Sequence, residues 1–153
     1  MQPENRPEET TAARAPLAPL PFPWPDLSGI HAFLIEDNED TRTMLTQTLQ
    51  HCGAMVTVYE SAEMAMASLS ELRPTVFICD LSMPRLNGLE FMRAIRRLSP
   101  DQRGTVPAIA ITAYYEDFAA AKALEVGFNA YMTKPIRLDE LCRAVKELAA
   151  TRA

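Results

Sequence analysis

The fold is decided by residues 76–92, which read VFICDLSMPRLNGLEFM. The stretch opens with four consecutive apolar residues, as expected of a parallel strand that is buried on both faces of a sheet. Asp80 ends this run, a proline-containing loop follows, and Phe91 and Met92 then begin a helical pattern that continues to Leu98. A strand, an acidic residue at its carboxyl end and a helix make up part of a βαβ unit. The stretch therefore predicts an α/β domain.

The same order of strand and helix occurs five times between residues 30 and 150. Predicted strands cover residues 31–35, 55–59, 75–79, 108–111 and 130–132, and predicted helices cover 40–51, 62–69, 89–98, 116–126 and 138–148. Ser61 stands where the second helix should begin, and Gly53 and Gly127 stand where two helices should end. Since right-handed crossovers return the chain to the same edge of the strands, we expect a doubly wound, five-stranded parallel sheet with five helices.

Residues 1–29 differ in composition from the rest of the chain. They contain seven of its twelve prolines, which lack the amide hydrogen that a helix or a ladder requires. We therefore expect a Pro-rich disordered tail or linker at 1–29 and a single domain at 30–150. An alternative is a docking strip, because Leu17, Leu20, Phe22 and Trp24 could bury against a partner.

The bulk composition excludes several classes of function. The net charge of −5 argues against a primary role on nucleic acid. Neither a membrane-spanning run nor a signal peptide is visible, so we expect a cytoplasmic protein that does not contact the membrane. The three cysteines (Cys52, Cys79 and Cys142) are scattered and are expected to be reduced, buried residues. His31 and His51 are too isolated for a metal site and are expected to be structural.

Polar residues follow four of the five predicted strands. Glu36 and Asp37 follow the first strand, Asp80 the third, Thr112 the fourth and Lys134 the fifth. In an open α/β sheet these positions meet at one edge, where ligands bind. Clustered carboxylates require a cation, and Mg²⁺ is favoured over zinc because no cysteine or histidine joins them. A carboxylate nucleophile, a hydroxyl donor and an ammonium group together suit phosphoryl transfer.

Four segments resemble the receiver domain of two-component response regulators, of which the chemotaxis response regulator is a single-domain example. They are FLIEDNED (33–40), VFICDLSMPRLNGLEFM (76–92), AIAITAY (108–114) and NAYMTKPI (129–136). The resemblance covers residues 30–150, and its most distinctive part is the Asp-x-x-Met-Pro-x-x-x-Gly pattern from Asp80 to Gly88. It implies a flavodoxin-like receiver fold and a function in phosphorelay signalling.

The resemblance also implies which residues take the phosphoryl group and Mg²⁺. Asp80 looks like the phosphoacceptor, which attacks the phosphorus of a phosphohistidine. Asp37 looks like a direct Mg²⁺ ligand, and Glu36 would act on the metal through water. Asp80 itself and the backbone carbonyl of Ser82 would complete the protein ligands. Glu36-Asp37 stands in place of the commoner Asp-Asp pair, with the charge retained.

Other matched positions concern the response to phosphorylation. By resemblance, Thr112 would hydrogen-bond the phosphoryl group, Lys134 would form an ion pair with it, and the bond before Pro135 would be cis. Tyr131 matches an aromatic switch that swings inward when Thr112 moves. A plain structural interpretation of Tyr131 is an edge-strand aromatic that half covers the core. We expect the fourth helix, fifth strand and fifth helix to present the surface that changes.

The expected partners are a histidine kinase or histidine phosphotransfer protein and a downstream protein target. We expect no output domain after the fifth helix, and hence output through protein contacts from a monomer or a weak, phosphorylation-dependent dimer. We therefore expect no enzymatic activity, except that the domain assists its own phosphorylation and dephosphorylation. Three alternatives stay open: a receiver segment of a hybrid histidine kinase, a non-phosphorylated binding module, and a phosphatase with an aspartate nucleophile. The phosphatase usually has a second acid where Ser82 stands.

Overall fold

The computed structural model describes residues 24–150, which form one five-stranded parallel sheet with the strand order β2-β1-β3-β4-β5. The strands are β1 (His31–Ile35), β2 (Met55–Tyr59), β3 (Val76–Asp80), β4 (Ala108–Thr112) and β5 (Ala130–Thr133). The helices are α1 (Glu39–His51), α2 (Ala62–Ser68), α3 (Gly88–Arg96), α4 (Ala120–Val126) and α5 (Leu138–Ala150), with a 3₁₀ turn at Pro100–Gln102. The predicted fold class is confirmed.

Helices cover both faces of the sheet. Successive side chains of a strand point to opposite faces, so Phe33 and Leu34 of β1 belong to different cores. Phe33 packs in a core that α2, α3 and α4 complete, and Leu34 packs in a core that α1 and α5 complete. The central strand β3 is buried along its whole length, which explains its unbroken apolar run. None of the helices described is long and apolar enough to cross a membrane.

Several predicted boundaries are wrong by a few residues. β3 and β4 each extend one residue further than expected, since Asp80 still pairs with Ile111 and Thr112 with Thr133. The fourth helix begins at Ala120 rather than at residue 116. A separate turn precedes it, in which the Phe118 amide donates to the Tyr114 carbonyl at 2.9 Å. The residue before the helix is alanine, which has no side-chain oxygen to cap it.

The packed domain begins earlier than the predicted boundary at residue 30. Leu27 is 0% exposed, and its amide donates to the Cys52 carbonyl at 2.8 Å. The ring of Trp24 lies edge-on against His51, with 5.8 Å between ring centroids. A leucine and a tryptophan can bury apolar area even where prolines prevent regular structure. Leu17, Leu20 and Phe22, the other members of the predicted docking strip, lie outside the described residues.

Arg96 joins the end of α3 to two neighbouring loops. Its guanidinium donates to the Gly127 carbonyl from Nε at 3.1 Å and from Nη2 at 2.8 Å. Nη1 donates to the carbonyls of Gly104 at 3.0 Å and Val106 at 2.8 Å. Because the loops before β4 and before β5 share this one donor, Arg96 holds both of those strands in place.

We expect Arg96→Met to lower the free energy of unfolding by about 2 kcal/mol, because three carbonyl oxygens lose a charged donor. Urea denaturation followed by circular dichroism measures this change. Arg97→Met is the matched control, since Arg97 is adjacent in the chain but exposed. Equal stability of the two variants would show that the Arg96 hydrogen bonds contribute nothing.

Candidate functional site

The candidate site lies where β1 and β3 end side by side. These two strands are neighbours at the point where the strand order changes direction, and ligand sites of open α/β sheets form at such a switch point. Glu36 and Asp37 follow β1 directly, and Asp80 is the last residue of β3. The topology thus brings together carboxylates that are more than forty residues apart in the chain.

The three carboxylates form a cluster that could hold a metal ion. One oxygen from each of Glu36, Asp37 and Asp80 lies within 4.8 Å of the others. Glu36 is 0% exposed and Asp80 is 3% exposed, whereas Asp37 is exposed to solvent. The buried Glu36 Oε1 meets Lys134 Nζ at 3.0 Å in an ion pair and has no hydrogen-bond partner besides it. An all-oxygen set of three carboxylates suits a hard divalent cation.

Lys134 is the counter-ion of the two buried acids. Its Nζ lies 3.0 Å from Glu36 Oε1 and 3.3 Å from Asp80 Oδ2. It is positioned by the end of β5, where the Lys134 amide donates to the Thr112 carbonyl at 2.8 Å. The Lys134–Pro135 peptide bond is cis, as the resemblance implied.

The electrostatics of Glu36 are set by its burial. Desolvation and, next, repulsion from Asp80 raise the pKa of the Glu36 carboxyl to about 7, although the Asn38 amide and Lys134 act in the opposite direction. For Lys134, burial alone would lower the pKa, but the charges of Asp80 and Glu36 outweigh it and raise the pKa of the ammonium group. The cluster therefore carries more negative charge than one lysine neutralises.

The metal-free protein should lose stability as the pH rises through the range in which Glu36 ionises. Its carboxyl has a folded pKa of about 7 against an ordinary value of 4.5, so between these values the folded state holds a proton that the unfolded state has released. Folding is then favoured at the acid end, and the free energy of unfolding falls from about pH 4.5 to about pH 7. Urea titrations in EDTA at a series of pH values measure this slope.

Glu36→Gln is the matched variant for that experiment, because its amide keeps the shape and cannot ionise. Its slope over the same pH range should be smaller than that of the wild type. A wild-type slope that Glu36→Gln leaves unchanged would assign the effect to other groups.

A cleft of about 710 Å³ opens above the acids. It is lined by Asp37, Asn38, Thr41, Asp80, Ser82, Met83, Pro84, Ala113, Tyr114 and Lys134. Glu36 is absent from this lining because its side chain is fully buried, with Lys134 Nζ 3.0 Å from its Oε1. The cleft thus gives small molecules access to Asp80 and Asp37 but not to Glu36.

Two of the hydroxyl residues, Thr112 and Tyr131, belong to β4 and β5. Thr112 is fully buried, and its Oγ1 accepts a hydrogen bond from the Tyr114 amide at 2.9 Å. The Tyr131 hydroxyl donates to the Phe118 carbonyl at 2.6 Å, and the Tyr131 ring packs partly buried on the core.

Ser82 lies in the loop after β3, where its amide donates a hydrogen bond to Asp80 Oδ1 at 3.0 Å. The predicted role of the Ser82 carbonyl as a metal ligand stays a prediction.

Two residues that support the site were not predicted. The Asn38 side chain accepts from the Thr41 amide at 2.8 Å and so begins α1, while the Asn38 amide donates to Glu36 Oε2 at 3.0 Å. Arg42 Nη1 donates to the Glu36 carbonyl at 2.9 Å. An asparagine between a strand and a helix is a recognised N-cap signal and would have identified Asn38. No sequence signal indicates Arg42, whose contact depends on the turn between β1 and α1.

Fold and site together define a doubly wound α/β domain with a cluster of three carboxylates and a half-buried lysine at the carboxyl edge of its sheet. The model of the response regulator receiver domain family matches residues 32–146. The chain belongs to this family and is a receiver domain of two-component signalling.

The curated relatives include both short and longer proteins. A 14.6 kDa protein of Leptolyngbya boryana is 36% identical over 121 residues, which is 79% of this chain and 91% of that protein. The transcriptional regulatory protein AfsQ1 of Streptomyces coelicolor is 36% identical over 115 residues, which is 73% of this chain but 49% of that protein. The chain therefore spans nearly all of the first relative and about half of the second.

Among solved structures, the receiver domain of a sensor histidine kinase from Pseudomonas aeruginosa is similar at 29% identity and a TM-score of 0.72. The match covers 80% of this chain and 99% of that one, and that structure has a magnesium ion coordinated in its active site cleft. The receiver domain of a Francisella response regulator aligns with a TM-score of 0.74 at 22% identity, which supports the fold alone.

Proposed function

We propose that this receiver domain accepts a phosphoryl group from a phosphohistidine of a histidine kinase or phosphotransfer protein onto Asp80. The observation that carries the proposal is the environment of Asp80, which is 3% exposed, lies at the cleft and has Lys134 Nζ 3.3 Å from Oδ2. Outside its own phosphorylation and dephosphorylation, the domain has no enzymatic role.

The chemistry requires an in-line displacement at phosphorus. An Asp80 carboxylate oxygen forms a bond to phosphorus as the phosphorus–nitrogen bond to the donor imidazole breaks, so aspartyl phosphate and a neutral histidine result. The Ser82 amide, 3.0 Å from Oδ1, holds the carboxyl in orientation. Lys134 is placed to neutralise charge that develops on the phosphoryl oxygens.

Mg²⁺ fits the donor set of the site, and Asp37, Asp80, Glu36 through water and the Ser82 carbonyl would hold it. When bound, it supplies positive charge that offsets the carboxylates and the phosphoryl oxygens. The support within this chain is the three-carboxylate cluster, and a similar receiver domain contains the same ion.

Phosphorylation would then alter the face formed by α4, β5 and α5. A phosphoryl oxygen would accept a hydrogen bond from the Thr112 hydroxyl, and movement of Thr112 toward it would disturb the bond that Oγ1 accepts from the Tyr114 amide at 2.9 Å. An inward movement of Tyr131 requires its hydroxyl to release the Phe118 carbonyl, which ties β5 to the turn before α4. A downstream protein that binds one arrangement of this face shifts the population toward it.

Acetyl phosphate, a small phosphoryl donor, tests the proposal directly. With Mg²⁺, intact mass spectrometry should show a gain of one phosphoryl group, and EDTA should abolish the gain. Multiple turnover of small phosphoesters would instead support the phosphatase alternative, and no modification in either condition would support a binding module. Transfer profiles against phosphorylated kinases then identify the physiological donor.

The similarity to the receiver domain of a sensor histidine kinase favours one further possibility. The chain could be the receiver segment of a hybrid kinase, with phosphoryl transfer within a larger protein. Phosphotransfer from a covalently linked kinase domain would be much faster than from the same domain in trans. The cytoplasmic location and the oligomeric state stay predictions.

Tyr114 is expected to lengthen the lifetime of the aspartyl phosphate. Its side chain is 57% exposed at the mouth of the cleft, where it borders the path of hydrolytic water. Tyr114→Ala should therefore raise the dephosphorylation rate several-fold, about 3 to 10 times, because water gains access. Tyr115→Ala is the matched control, since Tyr115 is equally exposed and lines a different depression with no acid of the cluster. Equal lifetimes for wild type and Tyr114→Ala would refute the shielding role.

A further inference from the structure

Two buried cysteine thiols touch between the first and the last helix. Cys52 ends α1, Cys142 lies in α5, and their sulfur atoms are 3.8 Å apart. A disulfide bond needs a separation of about 2.05 Å, so the two sulfur atoms are in contact but not bonded.

The chain's third cysteine provides an internal comparison. Cys79 lies in β3 on the opposite face of the sheet, and its thiol donates to the Asp80 carbonyl at 3.3 Å. It belongs to the core that α2, α3 and α4 cover, whereas Cys52 and Cys142 belong to the core that α1 and α5 cover. The sheet therefore separates Cys79 from the other two thiols.

A short segment, called the strap here (residues 24–28), packs beside the helices that carry the Cys52–Cys142 pair. Leu27 is buried in the same core as both thiols, and its amide donates a hydrogen bond to the Cys52 carbonyl at 2.8 Å. On the other side, Lys146 Nζ of α5 donates to the Asp26 carbonyl at 2.7 Å. The strap is thus bonded to both helices that carry the thiols.

We propose that Cys52 and Cys142 are a covalent modification site that low-molecular-weight disulfides oxidise to an intramolecular disulfide, and that the strap controls access to it. Cys52 is the thiol attacked first, because it is 7% exposed whereas Cys142 is fully buried. The resulting bond joins α1 to α5 and closes a loop that contains four of the five strands.

The reaction balances as two thiol–disulfide exchanges. The Cys52 thiolate attacks one sulfur of the small disulfide, forms a mixed disulfide and releases one small thiol. Cys142 then loses its proton, attacks the Cys52 sulfur and releases the second small thiol. The protein loses two electrons and two protons, and the small disulfide gains them. Burial raises the pKa of both protein thiols, so the rate should increase with pH.

Oxidised glutathione added to the full-length folded protein tests the proposal. Samples are quenched with acid and N-ethylmaleimide, and intact mass and peptide maps are measured. We expect loss of two hydrogen atoms, a Cys52–Cys142 linked peptide and full alkylation of Cys79. Cys79→Ala should behave as wild type, whereas Cys52→Ala and Cys142→Ala should each stop at a stable adduct or the free thiol. Reduced glutathione should reverse the reaction.

The strap is tested by the rate of the same reaction. Leu27→Ala should speed oxidation by about tenfold, because local opening at the end of α1 becomes easier. Met92→Ala is the matched control, since Met92 is equally buried but lies in the opposite core. Equal acceleration by both variants would overturn control by the strap.

Three results on the wild type would overturn the modification site itself, whatever the stability of the variants. They are a lasting glutathione adduct on Cys52, a disulfide that includes Cys79, and no oxidation of the folded protein under conditions that oxidise the urea-unfolded chain. None of these results depends on phosphorylation of Asp80, so the proposed signalling function is tested separately.

Discussion

Asp80→Asn should abolish phosphoryl uptake from acetyl phosphate. The amide has the size of the carboxyl but is a far weaker nucleophile toward phosphorus, so we expect the rate to fall by roughly 10³-fold or more. Intact mass spectrometry over a time course measures the effect. Because Asp80 is the buried acid that faces both the cleft and Lys134, no neighbouring carboxylate can replace it in the same position.

Two variants show whether this loss is specific. Asp101→Asn removes an exposed acid on the 3₁₀ turn and should leave the rate unchanged. Asp37→Asn keeps the nucleophile but removes a solvent-facing member of the acidic cluster, so high Mg²⁺ concentrations should restore part of its rate. Phosphorylation of Asp80→Asn at the wild-type rate would place the acceptor elsewhere and would contradict the proposed function.

Lys134→Met should destabilise the metal-free protein strongly above pH 7. Two buried carboxylates then face each other without the ammonium group that lies within 3.3 Å of both. Removal of one partner from a buried ion pair typically costs about 3–5 kcal/mol, and partial exposure of Lys134 reduces this to about 2–3 kcal/mol. Urea denaturation in EDTA at pH 8 measures the loss in the free energy of unfolding.

Two rescue experiments on Lys134→Met distinguish a stability loss caused by unbalanced charge from one caused by poorer packing. Mg²⁺ should restore much of the stability, since a divalent cation offsets the same two acids. Glu36→Gln in the Lys134→Met background should also restore it, because it removes one of the repelling charges. Lys122→Met is the matched control, as Lys122 forms only an exposed ion pair with Glu125 on α4. A loss that neither Mg²⁺ nor Glu36→Gln reduces would indicate a packing defect.

Most of the sheet could be predicted from local patterns. The apolar run before Asp80 indicated a strand that is buried on both faces of the sheet, and the structure confirms this burial. The start of the fourth helix could not be predicted, because residues 116–119 have helical composition but form a turn whose contacts lie outside that segment. The strap falls within the predicted Pro-rich tail. A high proline content indicates that a segment lacks regular structure, but it does not indicate whether the segment packs against the domain.

The convergence of the site residues followed from topology, because parallel strands end at one edge. Glu36, Asp37, Asp80, Thr112 and Lys134 all lie at that edge, as the strand ends required. Their different environments could not be inferred. Adjacent residues Glu36 and Asp37 differ completely in exposure, and only the position of Lys134 and the Asn38 turn explains which acid is buried.

The sequence by itself determined the class of fold, the edge of the sheet that carries chemistry and the residue types available there. These properties depend on hydrophobic periodicity and strand order, which are local or follow from chain chirality. Only the tertiary structure decided which carboxylate is buried, that Cys52 touches Cys142, and that Leu27 packs in the same core as both thiols. Such contacts join residues distant in the chain, and their burial depends on how helices pack across the sheet, which no local pattern encodes.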